Sequence, residues 1–136
     1  MACLRRRLAS SVLCVLLSGS IWPAFASEGA FPFDRELVLD VAPMRGSKRI
    51  PILEIAENGA ASIQLWCGSA RGQANVVADS ITIVPGPAQP AQCAPDRQSS
   101  DENLLAALAQ VTNWRRSGDV IELFGGTTLR FRLMTN

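Results

Sequence analysis

From Glu36 the chain alternates polar and apolar residues, Glu36-Leu37-Val38-Leu39-Asp40-Val41, and a period of two puts successive side chains on opposite faces of a half-buried strand. Pro43 ends that segment. Ile50-Pro51-Ile52-Leu53-Glu54-Ile55 reads as a second strand, with Pro51 at its beginning or on an edge because proline cannot donate a ladder hydrogen bond. Glu57-Asn58-Gly59 lies between two apolar runs, and Asn and Gly tolerate the positive φ angles of a tight hairpin turn. Residues 62–66 are then the returning strand. Gly68 and Gly72 permit a sharp bend or bulge, residues 73–77 supply another strand, and the chain turns at Asp79 into Ser80-Ile81-Thr82-Ile83-Val84. The pattern predicts a meander.

Pro85, Pro87, Pro90 and Pro95 then abolish regular pairing across a loop that contains Cys93. Ser99 and Glu102 have the spacing of a capping box, so a helix is predicted to start there. Leu104, Leu105, Leu108 and Val111 recur at helical spacing and form one apolar stripe for packing on the sheet. Beyond Asn113 the period returns to two, with Val120, Ile121 and Leu123, a Gly125-Gly126 turn, and then Leu129, Phe131 and Leu133 in a closing hairpin.

Several antiparallel strands, one helix and two or three further strands predict an α+β, mainly β, fold: a strongly curved antiparallel sheet or partly open barrel with one packed helix. Closure removes exposed strand edges and can create an interior cavity.

Ahead of this domain, Arg5-Arg6-Arg7 is followed by a run rich in Leu, Val, Ala and Ser, and then by Pro23-Ala24-Phe25-Ala26. That is the basic, apolar, small-residue order of a secretory signal over residues 1–26, cleaved after Ala26. A membrane anchor needs about 20 apolar residues, and Ser18, Gly19, Ser20 and Pro23 interrupt this run. Cys14 lies mid-core rather than at the cleavage point, which argues against a lipid anchor. Residues 27–35 read as a loose, polar arm from which Phe31 and Phe33 pack back onto a domain over 36–134.

Cleavage removes three of the 13 basic residues and none of the 12 acidic ones, which leaves a formal charge of −2. A phosphate-backbone binder needs clustered Lys and Arg. Here the adjacent pairs are Arg115-Arg116 and Lys48-Arg49, so nucleic acid is not expected as a partner. About 110 remaining residues suffice for one domain that buries roughly two-thirds of its unfolded surface.

The chain has no histidine and no tyrosine, which removes the commonest general base and the commonest metal ligand. No catalytic residue, metal or cofactor is expected. Lys48 sits in a Gly46-Ser47-Lys48 turn with no serine motif in support. Asp96, Asp101 and Glu102 lack the regular spacing of a calcium loop, and helix capping accounts for Asp101 and Glu102. Trp66 and Trp114 read as core or sheet-face aromatics. Two cysteines survive cleavage, Cys67 and Cys93. In an exported chain without histidine they read as a disulfide; a redox-active thiol pair and a metal site are the alternatives, and the spacing is not the Cys-x-x-Cys of redox chemistry. A bridge closing this loop contributes roughly 3.5 kcal/mol in the loop-entropy model.

Trp66-Cys67-Gly68 with Gly72, then Cys93, then Asp101 and Glu102 before Leu105 and Leu108, and finally Gly118 with Ile121, Leu123, Leu129 and Phe131, resemble the META domain, or HslJ-like, family of exported bacterial proteins over residues 37–133. Gly68 stands where that family commonly has Asn, Gln73 where it has an aromatic, and Gln89-Pro90-Ala91-Gln92 replaces a Thr-rich approach to the second cysteine. The resemblance implies a compact β-rich domain with a packed helix, and links to stress response, envelope integrity or drug tolerance. It implies no catalytic residues.

The expected function is therefore a non-enzymatic periplasmic or secreted domain, monomeric, that supports the envelope through contact with a protein or small ligand. The expected contact surface comprises Gly68, Arg71, Gly72, Gln92 and Arg97, where a Gly-rich bend and a Pro-rich loop are held side by side. Alternatives are a binder of a small apolar molecule inside the curved sheet and an inhibitor of an envelope-active hydrolase. Thiol counting on the mature, non-reduced protein should find essentially no free cysteine; two labelled thiols contradict the bridge.

Overall fold

The computed structural model describes residues 29–89 and 91–135; the predicted signal over 1–26 lies outside them. Eight strands and one helix follow in the order β1 (Leu37–Leu39), β2 (Ile52–Ile55), β3 (Ala60–Gln64), β4 (Ser69–Val77), β5 (Ser80–Pro85), α1 (Pro95–Leu108), β6 (Val111–Ser117), β7 (Val120–Gly125) and β8 (Thr128–Leu133). Each strand pairs antiparallel with its neighbour in sequence, and β8 returns to β1 through Leu37↔Leu133 and Leu39↔Phe131, which closes a barrel. The expected curved, mainly β sheet with one helix is thus realised in its closed form.

Alternation accounts for the interior. Leu53 and Ile55 of β2, Ile63 of β3, Ile81 and Ile83 of β5, Ile121 and Leu123 of β7 and Phe131 of β8 all point inward. They join Leu37 and Leu39 in one contiguous cluster. Burying such a side chain stabilises by about 1.5–3 kcal/mol, and the pairing of β1 with β8 covers their edges, leaving the β5–β6 seam as the weakly paired one. The β2–β3 turn lies where the Asn-Gly dipeptide predicts it, but only Gly59 takes a positive φ, +86°: its amide donates to Ala56 O at 2.9 Å, and Asn58 instead accepts the Ala60 amide on Oδ1 at 3.0 Å.

The barrel is narrowly joined between β5 and β6, whose register is Ser80↔Asn113. There the Trp114 amide donates to Asp79 O at 2.9 Å and the indole Nε1 to Ala78 O at 2.8 Å. The chain between these strands forms α1, which packs against β5 and β8 and contributes Leu104 and Leu108 to the core.

Three expectations change. The helix starts at Pro95, one turn before Ser99: proline suits the first turn because its missing amide hydrogen has no helical acceptor there, and Asp96 complements the dipole. Ser99 and Glu102 are exposed within the helix and form no capping box. Val111 does not extend the helical stripe but opens β6, a strand that the alternation rule leaves unassigned. A register shift between Val111 and Asn113 explains why, since a bulge puts the buried Val111 and Trp114 three residues apart and breaks the period of two.

In the described part of the N-terminal arm, Phe31 and Phe33 pack back onto the domain as expected. Phe31 is buried, with its ring centroid 4.9 Å from Phe33 and 5.1 Å from Trp114. Asp34 donates its amide to Ile55 O at 2.9 Å, and Arg116 Nη1 donates to Ala30 O at 3.3 Å. Phe31→Ala should lower unfolding stability by about 3 kcal/mol, as deletion of a buried aromatic does. Urea denaturation checks this, and a loss below about 0.5 kcal/mol, the scale of an ordinary surface substitution, contradicts the docking.

Candidate functional site

Strand β3 ends at Gln64 and β4 begins at Ser69, so residues 65–68 cross between them without a continuous ladder. Leu65 donates its amide to Gly68 O at 3.0 Å, which folds the crossing into a tight bend. Leu65, Cys67 and Gly68 are all buried. A buried amide without an acceptor costs about 1–3 kcal/mol, and the amides of Cys67 and Gly68 are satisfied by the helix.

Asp101 lies three residues before Leu104 and seven before Leu108, on the same face of α1, and it is the buried charged residue of that face at 3 % exposure. Its carboxylate accepts the Cys67 amide at 3.2 Å on each oxygen and the Gly68 amide at 2.9 Å on Oδ2. From the other side, Arg49 donates through Nη1 to Cys67 O at 2.9 Å and through Nη2 to Gly68 O at 3.5 Å. One short segment is therefore gripped at its amides by a carboxylate and at its carbonyls by a guanidinium, the charge-assisted hydrogen bonds being the stronger kind.

The third fastening is covalent. Cys67 and Cys93 form a disulfide with 5.9 Å between their Cα atoms, within the usual span of such bridges. It ties the bend to the loop ahead of α1. That loop is also held by main-chain bonds, from the Gln89 amide to Ser69 O and from the Gly86 amide to Arg71 O, each 2.7 Å. Contact is so close at Gly68 that an added Cβ would stand 2.7 Å from Gln89 O. This explains why glycine follows Cys67 here.

The residues of the expected contact surface are dispersed in depth. Arg71 is exposed on the outer face of β4, and Gln92 is exposed in the loop. Arg97 is half-buried in the first turns of α1. Gly68 is buried at the edge of the bend, and Gly72 is half-buried within β4 opposite Pro85. Asp101 does not cap the helix but holds the bend; its helical spacing from Leu104 and Leu108 is the sequence signal for that inward direction.

A hollow of about 170 Å³ opens beside the bridge, lined by Cys67, Gly68, Gln89, Gln98, Asp101 and Glu102 among others. It is the size of one side chain. A larger cleft of about 630 Å³ lies at the arm, between Phe31, Phe33, Trp114 and Phe124, where the Arg115 guanidinium stands 5.3 Å over the Phe124 ring and pairs with Glu122. Core side chains occupy the barrel interior, so an apolar ligand has its openings outside the barrel. Among the described residues there is no group of three His, Cys, Asp or Glu side chains placed to hold a metal ion, and no helix long and apolar enough to cross a membrane.

A family model described as META domain matches residues 36–135, which span the barrel and helix. A solved structure titled "NMR structure of the protein" is similar in fold, with a TM-score of 0.57 at 15% identity, covering 73% of this chain and 88% of its own. No curated protein matches at a significant level.

Asp101→Asn offers the two amides one acceptor where the carboxylate offers two, and should cost about 3 kcal/mol with the disulfide intact. That corresponds to a melting temperature lower by roughly 10–20 °C for a domain of this size. A change within about 0.5 kcal/mol contradicts the role given to this carboxylate.

Proposed function

The chain belongs to the META domain family, and we propose that it is an exported, non-enzymatic domain that acts in the cell envelope by contact at the face braced by Cys67 and Cys93. The observation that carries this reading is the triple fastening of the bend by the bridge, the Asp101 carboxylate and the Arg49 guanidinium. A surface fixed in advance loses less conformational entropy when a partner binds. The exposed residues around the bend, Ser69, Arg71, Gln89, Ala91 and Gln92, are mostly uncharged polar groups suited to hydrogen bonding. The small hollow between them would receive one side chain of the partner.

Export is supported by the basic and apolar order of residues 1–26 and by the bridge, because disulfides persist in oxidising compartments such as the periplasm or the extracellular medium. The absence of histidine from the sequence supports a binding role over a catalytic one. The same face, presented to a hydrolase, would serve an inhibitor equally well.

Affinity capture from envelope extract, with the mature oxidised protein as bait, tests the reading. Arg71→Glu and Arg97→Glu together should reduce partner recovery at least about tenfold, equivalent to roughly 1.4 kcal/mol, while the circular dichroism spectrum stays unchanged. Equal recovery by the variant and the parent overturns the assignment of this face.

A further inference from the structure

A second opening lies elsewhere on the molecule. A groove of about 420 Å³ runs between α1 and the β1–β8 pair, within the range of small-ligand sites. Leu39, Leu104, Leu129 and Trp66 give it an apolar floor, and Asp40 and Arg130 stand among its polar lining. Trp66 is half-buried, and its Nε1 is closed to solvent and donates to no acceptor. A buried N–H in that condition costs about 1–3 kcal/mol.

The cations at the mouth are unequally held. Asp40 pairs with Arg132 at 3.0 Å and with Arg130 at 3.4 Å, Asp119 also acts on Arg132, and Arg130, the more loosely paired of the two, is the one that lines the groove. The hydrogen bond to Asp40, followed by its charge, raises the Arg132 pKa above the ordinary arginine value, which marks Arg132 as the cation that Asp40 holds more firmly. Both arginines are about half exposed, and their side chains can turn toward an incoming anion at little cost.

We propose that this groove binds a small amphiphilic anion: an apolar body lies on Leu39, Leu104 and Leu129, and an acidic head faces Arg130. A modest rotation of the half-buried Trp66 ring brings its indole N–H to an oxygen of that head and supplies the acceptor it lacks. The site goes beyond the partner face and uses none of its exposed residues.

The test uses the mature, oxidised, ¹⁵N-labelled protein titrated with sodium octanoate, and with 1-octanol and octylammonium as probes of matched body. Octanoate should shift the Trp66 indole resonance and the amides of Leu39, Ala107 and Leu129 saturably, and leave the Trp114 indole, already bonded to Ala78 O, in place. It should bind at least about tenfold more tightly than either control, and Arg130→Glu should remove that advantage, as loss of a charge-assisted contact does. Asn103→Trp, a change on the helix side of the groove mouth, should block all three probes. Arg71→Glu should leave octanoate binding unchanged, so failure here is separate from failure of the partner face. Equal affinity for octanoate and octanol, shifts confined to the cleft around Phe31 and Phe124, or no saturable shift overturns the proposal.

Discussion

Where β3 gives way to β4, the ladder no longer supplies hydrogen-bond partners, yet the chain stays buried. The amides of Cys67 and Gly68 must find acceptors there, and the Asp101 carboxylate provides them from α1. A buried carboxylate is costly unless its oxygens are hydrogen-bonded. Three contacts with two amides meet that condition, so each side makes the burial of the other tolerable. The placement of the helix, the course of the bend and the position of the disulfide all follow from this one contact.

The rest of the barrel is built by simpler rules. Alternating apolar residues fill the interior, short turns join neighbouring strands, and β1 meets β8 to remove the edges. Between β5 and β6 the narrow pairing places an unusual demand on α1, which contributes both Leu104 and Leu108 to the core and Asp101 to the bend. Helix and barrel are thus coupled through apolar packing at one end of the stripe and through a charge at the other. The bridge restrains the loop that delivers the helix to this position.

Much of this architecture was legible in the sequence because its cause is local. Period-two alternation marks β2, β5, β7 and β8, and Asn58-Gly59 specifies its turn. The cysteine pair is legible because two cysteines that follow a segment with the order of a secretory signal, in a sequence without histidine, have few other uses. The misreadings have local causes of another kind. The bulge at Val111–Asn113 hides β6 from an alternation rule, and Ser99 with Glu102 imitates a cap one turn inside the helix. Asp101 was visible as an acidic residue near a helix start, but its inward direction shows only when it is placed on the face of Leu104 and Leu108. The grooves depend on which loops and strands meet across the closed barrel, information that no local pattern carries.

A rigid bend fastened at three points supports the partner face, and the groove beside α1 rests on the same helix, since Ser100 and Leu104 line it on either side of Asp101. Both therefore depend on whether Asp101 holds the two amides in solution. Residue-resolved hydrogen exchange of the oxidised protein measures this most directly. The Cys67 and Gly68 amides should be protected to the level of core strand amides such as Ile63 and Leu123, and Asp101→Asn should accelerate those two by about a hundredfold relative to the core strands. Rapid exchange of Cys67 and Gly68 in the parent protein, or equal protection in the variant, contradicts the account.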